Sequence, residues 1–136
     1  MFRLRDFYLR IKEPRVQRIA FLLLYALLAV IGIGGFVSPP AIIEAALGWL
    51  TPFWAGFSLL GGAVGAVTVL PGWWWAERIA AAAGVFGSLI YGSVIVAVHF
   101  HSDAAITTHL GYACIPIVLL AYRLWETRRY DYEPRG

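Results

Sequence analysis

Three histidines and one aspartate form the group of side chains in this sequence whose types best suit a metal ion. They are His99, His101, Asp103 and His109. Imidazole and carboxylate groups bind zinc and copper in proteins. His99 and His101 are two positions apart, however, and a helix would point them in different directions, so a shared ion requires an extended loop. We therefore expect structural or interfacial histidines and no bound cofactor, and a metal site at these four residues is the weaker alternative.

The remaining ionisable and nucleophilic residues do not form a catalytic pattern. Cys114 is the only cysteine, so the chain has neither an internal disulfide nor a redox pair. The sequence contains no Ser-His-Asp set, no H-E-x-x-H motif and no phosphate-binding glycine loop. Proton relays and ion-coupled transporters need ionisable groups deep in the membrane, and the central thirds of the apolar runs lack Asp and Glu. The sequence therefore predicts that the protein is not an enzyme.

Four apolar runs dominate the chain, which has 136 residues and is 60% hydrophobic. They cover about 19–37, 53–70, 79–98 and 106–122. A helix of roughly 20 residues crosses a hydrocarbon layer of about 30 Å. Short connections make successive helices antiparallel neighbours. We predict one all-α membrane domain, a four-transmembrane-helix up-down bundle.

The eleven basic residues are distributed so that they predict the orientation of this bundle. Six precede the first run, Arg78 lies between the second and third runs, and four lie in the charged tail 123–136. The other two connections have none. Short cytoplasmic segments retain Lys and Arg, whereas translocated segments do not. We expect a multi-pass protein of the bacterial inner membrane with both termini in the cytoplasm.

The basic arm 1–18 and a tryptophan cluster are predicted to lie at the inner membrane surface. In residues 2–13 an apolar stripe at helical spacing is surrounded by Arg3, Arg5, Arg10 and Lys12. Such an amphipathic helix lies in the headgroup region, so the expected partner is the anionic inner leaflet and not nucleic acid. Trp73, Trp74 and Trp75 follow the second run, and we expect them to form an interfacial aromatic belt.

Small residues recur at four-residue spacing in the second and third runs. Gly61 and Gly65 form one G-x-x-x-G pair. The third run carries a longer ridge: Ala80, Gly84, Ser88 and Gly92. Small side chains at this spacing allow close helix approach in a bilayer. Both sets are therefore predicted helix-association surfaces, and the spacing leaves open whether the partner is a helix of the same chain or of another copy.

Four segments together resemble one group of proteins. They are RLRDFYLRIKEPRVQR in the arm, SPP after the first run, LPGWWWAER between the second and third runs, and the terminal YDYEP. With these segments the chain resembles the small four-pass membrane proteins encoded by tailed phages and prophages of actinobacteria. Some members of that group are assigned as holins. The resemblance implies a phage-type membrane protein and transfers no functional residue.

The leading functional expectation is a holin-like protein that self-associates in the inner membrane and permeabilises it for lysis. Small size, several spans, small-residue surfaces and charged cytoplasmic ends all suit such a protein, which would be a homo-oligomer. The alternative is a non-enzymatic interaction protein that excludes superinfecting phage or serves as an accessory subunit of a membrane complex. Such a protein would bind another membrane protein.

Overall fold

The computed structural model describes residues 15–101 and 107–129, and their secondary structure is helical. The long helices are α1, Arg15–Val37; α3, Thr51–Val69; α4, Trp74–His101; and α5, Thr107–Arg129. The short helix α2, Ala41–Leu47, and a single 3-10 turn, Gly48–Leu50, connect α1 to α3. The predicted amphipathic helix in residues 2–13 and Asp103 lie outside the described residues.

Three of these helices are long and apolar enough to cross a membrane. The qualifying segments are Val16–Val37, Ala41–Val69 and Trp74–His101. The second segment includes α2, the 3-10 turn and α3. Helix α5 is not among them, because His109, Pro116 and Arg123 lower its mean hydropathy. The helical class is therefore confirmed, and three segments have the length and composition of membrane spans. The fourth crossing remains a prediction.

Each long helix packs against the next one along the chain, α1 on α3, α3 on α4 and α4 on α5. The two ends of the bundle differ in their side chains. Arg18, Arg78 and Arg123 lie at one end, where they bond to residues of neighbouring helices. We call this the basic end. His99, His101 and α2 lie towards the opposite end, which we call the histidine end.

The turn between α3 and α4 depends on Gly72. Its φ of 76° is in the left-handed region that side chains other than glycine rarely adopt. A methyl group at Gly72 would also lie 2.7 Å from Nη1 of Arg18. That guanidinium donates to the carbonyls of Val69 and Leu70, at 3.1 and 3.2 Å. Arg18 thus satisfies terminal carbonyls of α3, where the helix dipole favours a cation.

Buried side chains form two apolar clusters. The larger one, near the basic end, contains Phe21, Tyr25, Leu28, Val69, Ala80, Ala81 and Leu120. The smaller one, near the histidine end, contains Ile43, Trp54, Ala55 and Val94. The membrane-facing sides of the helices carry exposed Leu, Ile, Val and Phe instead. This arrangement suits a bundle whose surroundings are as apolar as its interior.

Candidate functional site

The small residues of α3 and α4 contact helices of the same chain. A methyl group at Gly61 would lie 2.7 Å from the backbone nitrogen of Gly84 and 2.9 Å from the carbonyl oxygen of Ala80. At Gly65 the added methyl would collide with the ring of Tyr25. The backbones of α3 and α4 are therefore in direct contact at Gly61. At Gly65, the aromatic ring of Tyr25 from α1 packs against the glycine.

The ridge on α4 is covered unevenly along its length. Ala80, Gly84 and Ser88 are buried, and the side chains of Leu28 and Leu120 close over Gly84. Gly92 is only half-buried, and a methyl group there would meet Ala113 at an ordinary 3.7 Å. Only the last member of the ridge is thus open to a contact from outside the chain.

Glu77, Arg123 and Glu126 form a buried polar network at the basic end. Glu77 is 1% exposed, and both of its carboxylate oxygens accept bonds from Arg123, from Nε at 2.5 Å and from Nη2 at 3.0 Å. Arg123 also donates to Glu126, which accepts two bonds of 3.0 Å from the amide of Gln17. The guanidinium lies 5.0 Å from the ring centroid of Phe21. The network therefore ties α1, α4 and α5 together at one depth.

The charge distribution alone does not predict this network, because Glu77 and Arg123 are far apart in sequence. One signal was present: Glu77 is in the first turn of α4 and Arg123 is near the end of α5. In two neighbouring antiparallel helices, residues at these two positions lie at the same depth along the bundle axis. A carboxylate and a guanidinium there are expected to pair, because each is costly to bury alone.

Of the residues predicted to lie at the membrane surface, the structure describes the three tryptophans. Trp73 and Trp75 are 55% and 58% exposed, while Trp74 is half-buried with Arg78 5.6 Å from its ring centroid. Arg3, Arg5, Arg10 and Lys12 lie outside the described residues. Two of the three indoles are thus available to a membrane surface at the basic end.

The histidines do not meet around a common point in the described part of the chain. His99 and His101 both lie within α4, and Nδ1 of His101 is 2.7 Å from the carbonyl oxygen of Ala97. His109 is exposed and lies near the start of α5. Among residues 15–101 and 107–129 there is no group of three metal-binding side chains. The extended loop that a shared ion needs at His99 and His101 is replaced by helix.

Two apolar clefts lie on the membrane-facing side of the bundle, towards the histidine end. The α4–α5 cleft encloses about 440 Å³ and is lined by Leu89, Gly92, Ser93, Val96, Ala97, Leu110, Ala113, Cys114 and Ile117. The α1–α5 groove encloses about 530 Å³. Its walls are Leu24, Leu27, Leu28, Ile31 and Pro40 on one side and His109, Ala113, Ile115 and Pro116 on the other. Its floor is Trp54, Ser58, Gly87, Ser88 and Tyr91.

No protein-family model, curated protein or solved structure matches this chain. The resemblance to phage-encoded membrane proteins therefore stays a prediction.

Proposed function

We propose that the chain is a four-pass membrane protein of the holin type, which inserts in the bacterial inner membrane with both ends in the cytoplasm and then self-associates. The fourth crossing is α5, whose 23 residues extend about 35 Å at 1.5 Å per residue. Its costly charge, Arg123, is paired with Glu77. Pairing reduces the cost of holding a charge near the hydrocarbon layer.

The α4–α5 cleft is the observation that supports self-association. Gly92, Ser93, Ala97 and Cys114 are small, lie on the membrane-facing surface, and are half-buried or exposed. In a bilayer, small side chains on an uncovered surface let a second helix approach closely. The cleft is thus the surface on which we expect another copy to pack.

Permeabilisation under this proposal occurs between copies, not through one copy. Tyr25, Leu28 and Leu120 fill the interior at the basic end. The buried Glu77–Arg123 pair lies at the same end, between α4 and α5. A path for ions therefore requires several chains to surround it. This is why self-association is the decisive property to measure.

Cys114 allows a direct test, because it is exposed in the cleft and is the only cysteine. In a two-fold interface the same surface meets itself, and residues close to the symmetry axis lie near their own equivalents. We expect Cys114 close to that axis, because it lines the cleft. Mild oxidation of membranes should produce a Cys114 disulfide dimer. Induced expression should then collapse the membrane potential, measured with a potential-sensitive dye.

The matched control places the cysteine elsewhere. A Cys114→Ser, Val30→Cys chain carries its thiol on the 65%-exposed Val30 position of α1, away from the cleft. We expect no dimer from it. Equal dimer yields from both chains would show random collision, and a normal membrane potential at high expression would rule out the holin proposal.

A second candidate is the interaction protein, and the covered ridge favours it. Because Ala80, Gly84 and Ser88 contact this chain's own helices, the ridge does not offer the second self-association surface that large arrays use. The α4–α5 cleft then suits a single partner helix. For this candidate, Cys114 should cross-link to a different membrane protein, and expression should leave the potential intact.

A further inference from the structure

We propose that the part of α5 before Pro116 swings about that proline between a position against α4 and a position against α1. We call this part, residues 107–115, the pivoting segment. The α4–α5 cleft lies on one side of it and the α1–α5 groove on the other. Each position therefore narrows one of these spaces and widens the other. The motion occurs within one chain and does not depend on self-association.

The half of α5 nearer the basic end is fixed to its neighbours. Arg123 pairs with Glu77 of α4, and Glu126 accepts two bonds from the amide of Gln17 on α1. Leu120 is buried in the larger apolar cluster. These contacts attach this half to α1 and α4 at once, so any movement of α5 must occur beyond them, towards the histidine end.

The pivoting segment is held by much less packing. Ala113 is 3% exposed, whereas Leu110 and Ile115 are 38% and 54% exposed. The contact that buries Ala113 is loose, because a methyl group added at Gly92 would still lie 3.7 Å from the Ala113 side chain. An alanine side chain is one methyl group and makes few dispersion contacts. Little packing therefore opposes a sideways shift of this segment.

Pro116 lies where the fixed half of α5 meets the pivoting segment. Proline has no backbone N–H, so the carbonyl four residues earlier loses its usual helical partner. Sharp bends in helices occur at such positions. From Pro116 to His109 the helix extends about 10 Å at 1.5 Å per residue. A change of about 20° in the bend would move that end by roughly 3–4 Å.

Space for a shift of this size exists on both sides of the pivoting segment. The α4–α5 cleft encloses about 440 Å³ and the α1–α5 groove about 530 Å³. Ala113 lines both, so the segment is the wall between them. Spaces of this size are rare in close-packed protein interiors, where neighbouring atoms block such shifts. A bend point, a fixed half and space on either side together allow the segment to move as one unit.

Distances between two spin labels in the full chain, measured by pulsed electron paramagnetic resonance in lipid nanodiscs, test this motion. The labels are attached at Gly111→Cys in the pivoting segment and Val30→Cys on α1, in a Cys114→Ser chain. Both positions tolerate a label, because Val30 is 65% exposed and nothing lies within 4 Å of a methyl group at Gly111. Dilution with unlabelled chains ensures that only distances within one chain contribute.

The matched control pair is Leu23→Cys on α1 and Ala121→Cys in the fixed half of α5, both at exposed positions. We expect the Gly111–Val30 distances to be spread over about 3 Å more than the control distances, as a bend change of about 20° requires. Pro116→Ala restores the missing N–H and should narrow the first distribution to the control width. Equal widths for the two pairs, or a broad distribution that Pro116→Ala leaves unchanged, would overturn the proposal.

A wedge in the cleft gives a directional test that keeps Pro116. In Gly92→Leu the Cβ would lie 3.7 Å from the Ala113 side chain, and the branched carbons beyond it need space that the pivoting segment occupies. The mean Gly111–Val30 distance should therefore shorten by about 3 Å, the swing towards α1. Ala82→Leu adds the same side chain at an exposed position of α4 outside the cleft and should cause no shift. No shift in Gly92→Leu, or equal shifts in both variants, would contradict the pivot.

Discussion

At the scale of single residues, three of the arginines whose distribution predicts the membrane orientation also hold the bundle together. Arg18 donates to the last carbonyls of α3, and Arg78 donates to the carbonyl of Thr127 near the end of α5. Arg123 pairs with Glu77. A helix C-terminus attracts cations through its unpaired carbonyls. The arginines from which the orientation is predicted are thus also arginines that stabilise contacts between neighbouring helices.

Removing one partner of the buried pair should destabilise the protein strongly. Glu77→Gln leaves Arg123 with Glu126 as its one carboxylate partner among the described residues, and we expect a loss of about 3 kcal/mol, the lower end for a broken buried pair. Thermal unfolding in detergent, followed by tryptophan fluorescence, measures it. Glu44→Gln is the control, because Glu44 is exposed and its change should cost less than about 0.5 kcal/mol.

A double variant separates lost pairing from lost packing. Glu77→Leu with Arg123→Met removes both charges, and apolar replacements of a buried pair are often neutral. The double variant should be more stable than the sum of the two single changes predicts. Additive losses would contradict the assignment of the pair as a coupled unit.

At the scale of elements, glycines set the distances between helices. A methyl group at Gly62 would lie 2.6 Å from Cα of Ala29 and 2.6 Å from the carbonyl oxygen of Tyr25, so α1 and α3 touch backbone to backbone. At Gly32 the methyl would lie 2.6 Å from Cα of Leu59. These two contacts are about one helical turn apart, and the close approaches at Gly35 and Gly65 extend the contact between α1 and α3 in both directions.

Adding one methyl group at this contact should separate α1 from α3. Gly62→Ala forces backbone atoms apart, and overpacking of this kind costs about 1–3 kcal/mol. Gly34→Ala is the matched control, because nothing lies within 4 Å of its added methyl and alanine favours helix. We expect a lower midpoint of thermal unfolding for Gly62→Ala only. An unchanged midpoint for both would show that α1 is not packed as described.

At the scale of the whole molecule, the charged contacts and the two clefts are separated along the bundle axis. Basic side chains and the ion pair lie at the basic end, whereas both clefts lie towards the histidine end. The basic end is thus closed by polar contacts. The other half of the bundle leaves room on its flank for lipid or another helix.

Cysteine labelling in intact cells should show that α5 crosses the membrane. In a Cys114→Ser chain, the exposed positions of Val16, His101 and Arg128 are each changed to Cys. A membrane-impermeant maleimide should label the cysteine at 101 in intact cells and those at 16 and 128 only after permeabilisation. Labelling of 101 and 128 from the same side would show that α5 does not cross the membrane.

The sequence by itself determined the helical class and the apolar lengths of the first three long helices, because the cost of unpaired backbone groups in lipid leaves few alternatives. The predicted bounds of the third and fourth runs, 79–98 and 106–122, are shorter than α4 and α5. Polar residues such as Glu77 and Arg123 end an apolar run without ending a helix. Hydropathy therefore measures the expected hydrocarbon depth and underestimates helix length.

Only the tertiary structure decided which surfaces are already in contact. The spacing of Gly61, Gly84 and Ser88 shows where close approach is possible, but the partner depends on how each helix is rotated about its axis. The same holds for the clefts, whose lining residues come from different helices and have no common pattern. Helix rotation is set by packing among all the long helices at once, so no single segment of the sequence contains it.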